Sequence, residues 1–468
     1  MKHRVLTYIG KKNKIEPYLP LAAAIMVAFA IRLTFFFFAE PWNQDVRETD
    51  ILRSDSLDYH LQAQNILNGS FLEGGRTPGY PMFLALIYSF TNSSVTAVLL
   101  LQAIMDVCVC VFVWMISLEV FRDKKAALLS VIIYTFSFTT AHWGSTLMTE
   151  TLFNLVLISG VFFFIKFLHI TKVKTLILSG VLLGFAVLIR PMFYAGVWLI
   201  LPYMFLFLQG RQGLKKTIGL TVVLGVLISL VILPWHFRNY YLYDSFSLTS
   251  VFNSNIYKSV TILAAGKEEI TEDGARVFLG GVPSDLNENR FALGRDQRKI
   301  AIDYILSNKT DYVFQHLKGT LALLTRTDKG IILYYLLNIE KPYEAHPFMG
   351  LKESFVDRLQ RNFQNLRQEY YLTPIMAGKM ILEYAAFVAG LALSVRNKRY
   401  GPSIIIFLLF LFFLFSPGFL GINTRFKVPL ISLYSSIAGG GAIVLYLHGK
   451  NLLKQLLGRA KTFDSKSC

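Results

Sequence analysis

Residues 95–120 read VTAVLLLQAIMDVCVCVFVWMISLEV, and Arg122, Lys124 and Lys125 follow almost at once. An apolar run of this length crosses the ~30 Å hydrocarbon core of a bilayer as one α-helix, and short basic groups beside spans mark the cytoplasmic side. The segment therefore runs inward, from an outside loop to an inside turn. Reading outward from it fixes the rest of the chain. Towards the N-terminus, a run at 18–39 follows Lys2, Arg4, Lys11, Lys12 and Lys14, which places the start of the chain inside and residue 40 outside. Between 40 and 122 the chain must cross an odd number of times. Gly79 to Phe90 is too short to span, so it is expected to lie along the outer interface.

Further spans are expected near 126–141, 148–168, 174–190, 192–209, 217–235, 375–394, 402–416 and 428–448. The intervening groups Lys172/Lys174, Arg211/Lys215/Lys216 and Arg396/Lys398/Arg399 and the basic tail are all read as cytoplasmic. The predicted fold class is an all-α polytopic membrane protein. It has about ten transmembrane helices, juxtamembrane helices and a helical segment at the outer face. Three regions follow: a seven-span part over 1–235 that includes the outer loop 40–94, an outer region over 236–373, and three last spans with a tail over 374–468. Within the outer region a helical pattern runs from Asp285 to Leu324, with Ala301, Tyr304, Ile305, Tyr312, Val313 and Leu317 on one stripe.

Composition agrees. Of 468 residues, 54% are hydrophobic and only 16% charged, against about a quarter charged in soluble domains. The formal charge of +17 is spread in short topological groups, so nucleic acid is excluded as a partner. Cys108, Cys110 and Cys468 build neither a disulfide framework nor a zinc site. No small-residue cleavage site follows the first run, which reads as an uncleaved span.

The polar residues left unexplained by topology fall outside. Asp55, Asp58 and Tyr59 share one helical face at the lip of the first loop, where paired carboxylates can act as a base or hold a hard cation. Against this, Ser54 or Asp55 is a good N-cap for a helix starting at Ser56. Glu150 begins an apolar run, either as a solvated helix start or as a carboxylate paired in a wet cavity. Arg76, Arg190, Arg238 and Arg425 all fall on the outer side, together with Lys427, against the usual bias. One arginine alone reads as interfacial, but four on one face suggest a phosphate site. Arg32 either snorkels outward or pairs with a loop carboxylate. His142 reads as an interfacial residue, and Asp106 as a hydrogen-bonded polar group inside the bundle.

These segments, in order, resemble a known class. Asp55 and Tyr59 are followed by Arg76-Thr77-Pro78-Gly79-Tyr80-Pro81, Thr149-Glu150-Thr151-Leu152-Phe153 and Leu188-Ile189-Arg190-Pro191. Then come Pro234-Trp235 with Arg238-Asn239-Tyr240, and Thr424 to Pro429. The string is similar to the GT-C membrane glycosyltransferases, in the group of the protein O-mannosyltransferases and the lipid A aminoarabinose transferase. That resemblance implies an inverting transfer of a sugar from a polyprenyl-phosphate donor to a glycan, lipopolysaccharide, lipid or protein acceptor, at the outer face of a plasma (bacterial inner) membrane. It gives the catalytic carboxylate's place to Asp55 and a place near the donor phosphate to Arg76, while Asp58 has no firm counterpart and is a helper. Together with the residue readings above, the candidates are Asp55 and Glu150 for catalysis and Asp58, Tyr59, Arg76, Tyr80, Arg190, Arg238 and Arg425 for substrate contact. Many relatives carry two adjacent acidic residues in the first loop. Here Asp55 is followed by Ser56, so a two-carboxylate metal site does not carry over and a divalent cation stays open as a cofactor. The other classes the sequence allows are a lipid-linked sugar flippase and an oligosaccharide polymerase or ligase.

Overall fold

A computed structural model of the chain describes residues 18–52, 54–70, 75–280, 290–332 and 372–464. The N-terminal basic group, Asp285 at the start of the outer helical pattern, and Cys468 lie outside them. The described residues form helices and turns, with no strand among them.

Seven helices among the described residues are long and apolar enough to cross a membrane: Leu19–Phe38, Val95–Phe121, Glu150–Ile170, Phe193–Gln212, Leu214–Tyr243, Leu372–Arg396 and Thr424–Asn451. The remaining three expected spans have other forms. Val173–Ile189 and Tyr400–Phe415 are shorter apolar helices. The span expected at 126–141 is broken into Lys124–Thr135 and Phe138–Gly144, bent by 58°. Local signals explain these breaks. Asp123 caps the first piece by accepting from the nitrogens of Lys125 and Ala126, and Ser137 caps the second by accepting from Thr140 N. Gly79–Thr91 forms the short helix expected beside the membrane, ending on Asn92 in the left-handed conformation.

The bend has a cost that the bundle meets with charge. Breaking a helix frees carbonyls from their i+4 donors, and Arg32 takes two of them. Its Nη1 donates to Thr135 O at 2.6 Å and its Nη2 to Tyr134 O at 3.4 Å. Nε pairs with Asp106 at 2.8 Å and Nη2 also donates to Thr140 Oγ1 at 3.0 Å. Arg32 is fully buried. It neither snorkels nor pairs with a loop carboxylate, because the broken helix offers acceptors closer than the interface does. The network continues: Tyr134 Oη donates to Asp106 at 2.5 Å, Asn154 Nδ2 to Tyr134 Oη at 3.2 Å, and Ser432 Oγ to Asn154 Oδ1 at 2.7 Å. It ties the first span, the bent pair and the 95–121, 150–170 and 428–464 helices together.

Beyond Tyr243 the chain turns back on the long helix. Trp235 Nε1 donates to Leu248 O at 3.1 Å and Asn239 Nδ2 to Ser247 O at 2.8 Å. Helices Val251–Lys267, Glu272–Phe278, Arg290–Ser307 and Lys309–Thr325 follow. Their packing corrects the expected stripe. Ala301 is buried against Tyr257 and Val260, with Tyr304 and Ile305 beside it, and Tyr312 meets Phe419 at 5.3 Å. Val313 and Leu317, however, are 55% and 50% exposed. The Lys309–Thr325 helix instead turns Gly319, Thr320 and Leu323 inward, which seats it on the tight turn Gly418–Ile422.

Candidate active site

Four turns converge at one end of the bundle. The first is the start of helix Asp55–Leu67, entered through Ser54, whose φ of 53° is rare for a residue with a side chain. Ser54 stands at the N-cap position, yet no side chain caps the helix there. The Asp55 carboxylate points elsewhere. Its Oδ1 accepts from Arg76 Nη2 at 2.7 Å and its Oδ2 from Arg425 Nη1 at 2.9 Å. The capping alternative is thereby overturned: two guanidiniums outcompete the orphan backbone N–H groups.

Arg76 is the hub. Its Nε donates to Asp58, its Nη1 donates to Tyr59 Oη at 3.1 Å, and its guanidinium lies 4.6 Å from the centre of the Tyr59 ring. Two contacts hold the turn that carries it. Gly75 O accepts from Thr249 Oγ1 and from Ser250 N, the latter at 3.0 Å, and a Cβ at Gly75 would run into Ser250. Gly79 is pressed on the C-terminal end of the 173–189 helix so closely that a Cβ would lie 2.7 Å from Ile189 N. That approach brings Arg76 and Arg190 to the same place.

Arg190 and Glu150 form the third corner. Glu150 opens the 150–170 helix and is 1% exposed; Arg190 follows the 173–189 helix and is 7% exposed. Their closest approach is 3.2 Å, Arg190 Nη1 to Glu150 Oε1, but out of line for a hydrogen bond, so both atoms stay without such a partner. The fourth corner is the 3₁₀ turn Thr424–Lys427. Phe426 lies between two cations, its ring centre 5.0 Å from both Arg190 and Arg425. Thr424 accepts from Trp143 Nε1 at 3.2 Å, and Lys427 donates to Arg326 O at 2.5 Å.

Electrostatics follow from this packing. Burial alone would raise the Asp55 carboxyl, but Arg76 and Arg425 outweigh it and hold it at about 2. Burial lowers the Arg190 guanidinium, against the opposing pull of Glu150. Asp55, Asp58 and Glu150 face Arg76, Arg190 and Arg425 in a formally neutral set. Among the described residues no three His, Cys, Asp or Glu side chains gather as metal ligands. With both Asp55 oxygens directed at guanidiniums, the donor set fits an anion better than a divalent cation.

The structure thus brings Asp55, Asp58, Tyr59, Arg76, Glu150, Arg190 and Arg425 together. Tyr80 lies beneath them, fully buried, its ring 5.1 Å from Tyr59 and its hydroxyl donating to Gln102 Oε1 at 2.8 Å. Arg238 is placed differently. It lies over the Trp235 and Tyr243 rings at 4.5 and 5.1 Å and donates to Asn239 Oδ1 at 2.7 Å. As part of the amphipathic end of a long helix it serves that helix and the 246–248 return. Gln102, Trp143 and Phe426 were not anticipated. Gln102 carried a signal as a polar residue inside an apolar run, and Phe426 as part of the Thr424–Pro429 segment.

Comparison with known proteins places the fold. The chain is similar to the archaeal oligosaccharyltransferase AglB from Archaeoglobus fulgidus, in complex with an inhibitory peptide and a dolichol-phosphate. The TM-score is 0.54 at 13% identity, over 96% of this chain and 52% of that one. The apo form of the Archaeoglobus fulgidus oligosaccharyltransferase gives 0.53 at 14% identity, over 96% and 53%. ArnT from Cupriavidus metallidurans, bound to undecaprenyl phosphate, gives 0.38 at 10% identity, over 91% and 78%. This chain is an all-α polytopic membrane protein whose fold is similar to that of the Archaeoglobus fulgidus oligosaccharyltransferase. It spans about half the length of the archaeal proteins it matches. Residues 75–235 match the family described as dolichyl-phosphate-mannose-protein mannosyltransferase. No curated protein matches the sequence.

Proposed function

We propose that the protein is an inverting glycosyltransferase that moves a sugar from a polyprenyl-phosphate donor to a hydroxyl of a glycan, lipid or protein at the non-cytoplasmic membrane face. The observation that carries this reading is Asp55 held between Arg76 and Arg425, with Arg190 and Glu150 buried beside it, at one end of a membrane bundle. The family match supports it, since residues 75–235 include Arg76, Glu150 and Arg190. The distribution of basic residues supports the outer side: cytoplasmic groups are short and lysine-rich, and this end of the bundle is not explained by them.

The chemistry follows from the residues. The bond between the anomeric carbon and the phosphate oxygen breaks, and its electron pair leaves with the phosphate. The acceptor oxygen bonds the opposite face of that carbon, which inverts it. Positive charge grows on the sugar, as in glycoside hydrolysis, while negative charge grows on the phosphate. Arg76, Arg190 and Arg425 stabilise the leaving group without reorganising. Asp55 takes the acceptor proton late in the step. Glu150 holds Arg190 in place and compensates its buried charge. The polyprenyl chain requires lipid-facing apolar surface, which explains chemistry performed by a membrane bundle.

A transporter would place charges in its spans along a path open to both sides. The central pair Arg32–Asp106 is instead closed by its own neighbours. The test is transfer from a polyprenyl-phosphate sugar by the purified protein in nanodiscs. Asp55→Asn is expected to keep its expression and fold, to melt somewhat lower for want of its two ion pairs, and to lose about 10³-fold in turnover. Near-normal transfer would remove Asp55 from the reaction. A cysteine at Asn68, an exposed position, should react with an impermeant reagent in intact cells; labelling only after permeabilisation would reverse the assigned side.

A further inference from the structure

In the structure both oxygens of Asp55 are taken by guanidiniums, one by Arg76 and one by Arg425. A carboxylate gripped in this way is a poor base, and an acceptor hydroxyl would compete for it against two charge-assisted hydrogen bonds. Meanwhile the same corner holds unmade bonds. Arg190 Nη1, on a side chain more than nine-tenths buried, and Arg425 Nε have no hydrogen-bond partner among the described residues. Such donors are costly to leave unpaired. They lie around one aromatic ring, that of Phe426, with like charges on it and no carboxylate hydrogen-bonded between them.

We propose that Asp55 occupies the seat of the donor phosphate, bridging Arg76 and Arg425 in its place, and that the arriving phosphodiester displaces it. The proposal rests on the reading of the site as a polyprenyl-phosphate glycosyltransferase. Charge makes the exchange natural. A phosphodiester carries one negative charge, as a carboxylate does, so between Arg76 and Arg425 one anion takes the place of another of equal charge. Phosphate oxygens also offer more acceptors than a carboxylate, enough for the unpaired Arg190 and Arg425 nitrogens. Displaced, Asp55 regains basicity only when donor is bound, so the base is released at the moment the leaving group is seated. After transfer Asp55 carries the acceptor proton and the lipid phosphate is a dianion. Once that proton passes to solvent, the returning carboxylate competes with the phosphate for Arg76 and Arg425 and drives its release.

The experiment measures binding of a short isoprenyl monophosphate to the full-length protein in nanodiscs. Asp55→Asn is expected to bind it at least about tenfold more tightly than wild type, although turnover is lost. Asp55→Ser, which also removes bulk, should behave the same and serves if the first variant folds poorly. Asp58→Asn, which frees Arg76 alone, should tighten binding less than about threefold. If Asp55→Asn binds no better than wild type, the displacement is wrong and the proposed function stands. Equal tightening by Asp55→Asn and Asp58→Asn would reduce the effect to general charge and also overturn it. If no variant, wild type included, binds the monophosphate, both the displacement and the glycosyltransferase reading fall.

Discussion

Two groups of charges inside this protein invite comparison. Around Arg32 and Asp106 at the bundle centre, nearly every donor and acceptor has a partner: Arg32 Nε, Nη1 and Nη2 donate to Asp106, Thr135, Tyr134 and Thr140, and Tyr134 closes the remaining carboxylate oxygen. Around Asp55 the charges also balance, but the bonds do not. Arg190 Nη1, Glu150 Oε1 and Arg425 Nε lack hydrogen bonds, and the backbone at Ser54 is in a rare conformation. Buried polar networks hold a fold in place when every member is satisfied. An incomplete one stores binding capacity for something that arrives later. The contrast separates scaffold from site without reference to any relative.

Breaking the closed group should have the largest effect on stability. Asp106→Asn leaves Arg32 buried without its counter-charge and is expected to destabilise by about 3–5 kcal/mol, read as a lowered melting temperature in nanodiscs. The pair Arg32→Met with Asp106→Leu should recover much of that loss, as hydrophobic replacements of buried ion pairs do. If Asp106→Asn melts like wild type, the two groups do not differ in the way described. In the open group the balance shifts. Arg425→Gln should lower the melting temperature less than Asp106→Asn, its ion pair with Asp55 being partly exposed, but lower turnover by about 10²-fold or more, the scale of one lost leaving-group contact.

Acid titration sharpens the comparison further. The folded Asp55 carboxyl lies at about 2 against an ordinary 3.8, so its ion pairs contribute to stability above pH 4 and are lost as pH falls towards 2. Arg76→Met removes one of the two guanidiniums that hold it down, so the acid limb of the melting curve should move to higher pH. An unmoved limb would mean that Arg76 does not set the Asp55 charge. The smallest effect is expected at the edge of the site. Thr424→Val deletes the acceptor of Trp143 Nε1, about 1 kcal/mol of stability, and should slow turnover only several-fold.

How far could the sequence reach towards this picture? Spans were legible because hydrocarbon thickness imposes a length and the basic groups impose a parity. The short helix from Gly79 was legible for the same reason, being apolar but too short. The break at Phe136–Ser137 was not, since a serine cap inside an apolar run resembles any other polar residue in a span. Arg32 could not be matched to Asp106, because the two are 74 residues apart and helix rotation decides which side chains meet. At the site, the arginines stood out as cations on the side where cations are rare. Arg238 stood out equally, yet helix geometry turns it onto Trp235 and Tyr243. Asp55 shows the opposite limit. Its position at the start of a helix suits a cap, and only Arg76 and Arg425, 21 and 370 residues on, decide against it.

The turn Thr424–Lys427 sends four consecutive side chains to four different destinations: Trp143 beside Thr424, Asp55 beside Arg425, the stacked arginines at Phe426 and the Arg326 carbonyl at Lys427. A 3₁₀ helix advances ~120° per residue. One residue deleted ahead of Thr424 would therefore rotate every one of those side chains to its neighbour's bearing, handing the aspartate an aromatic ring and the aromatic slot an amine. Conservative replacements here should be survivable one at a time, whereas a change of length by a single residue should not.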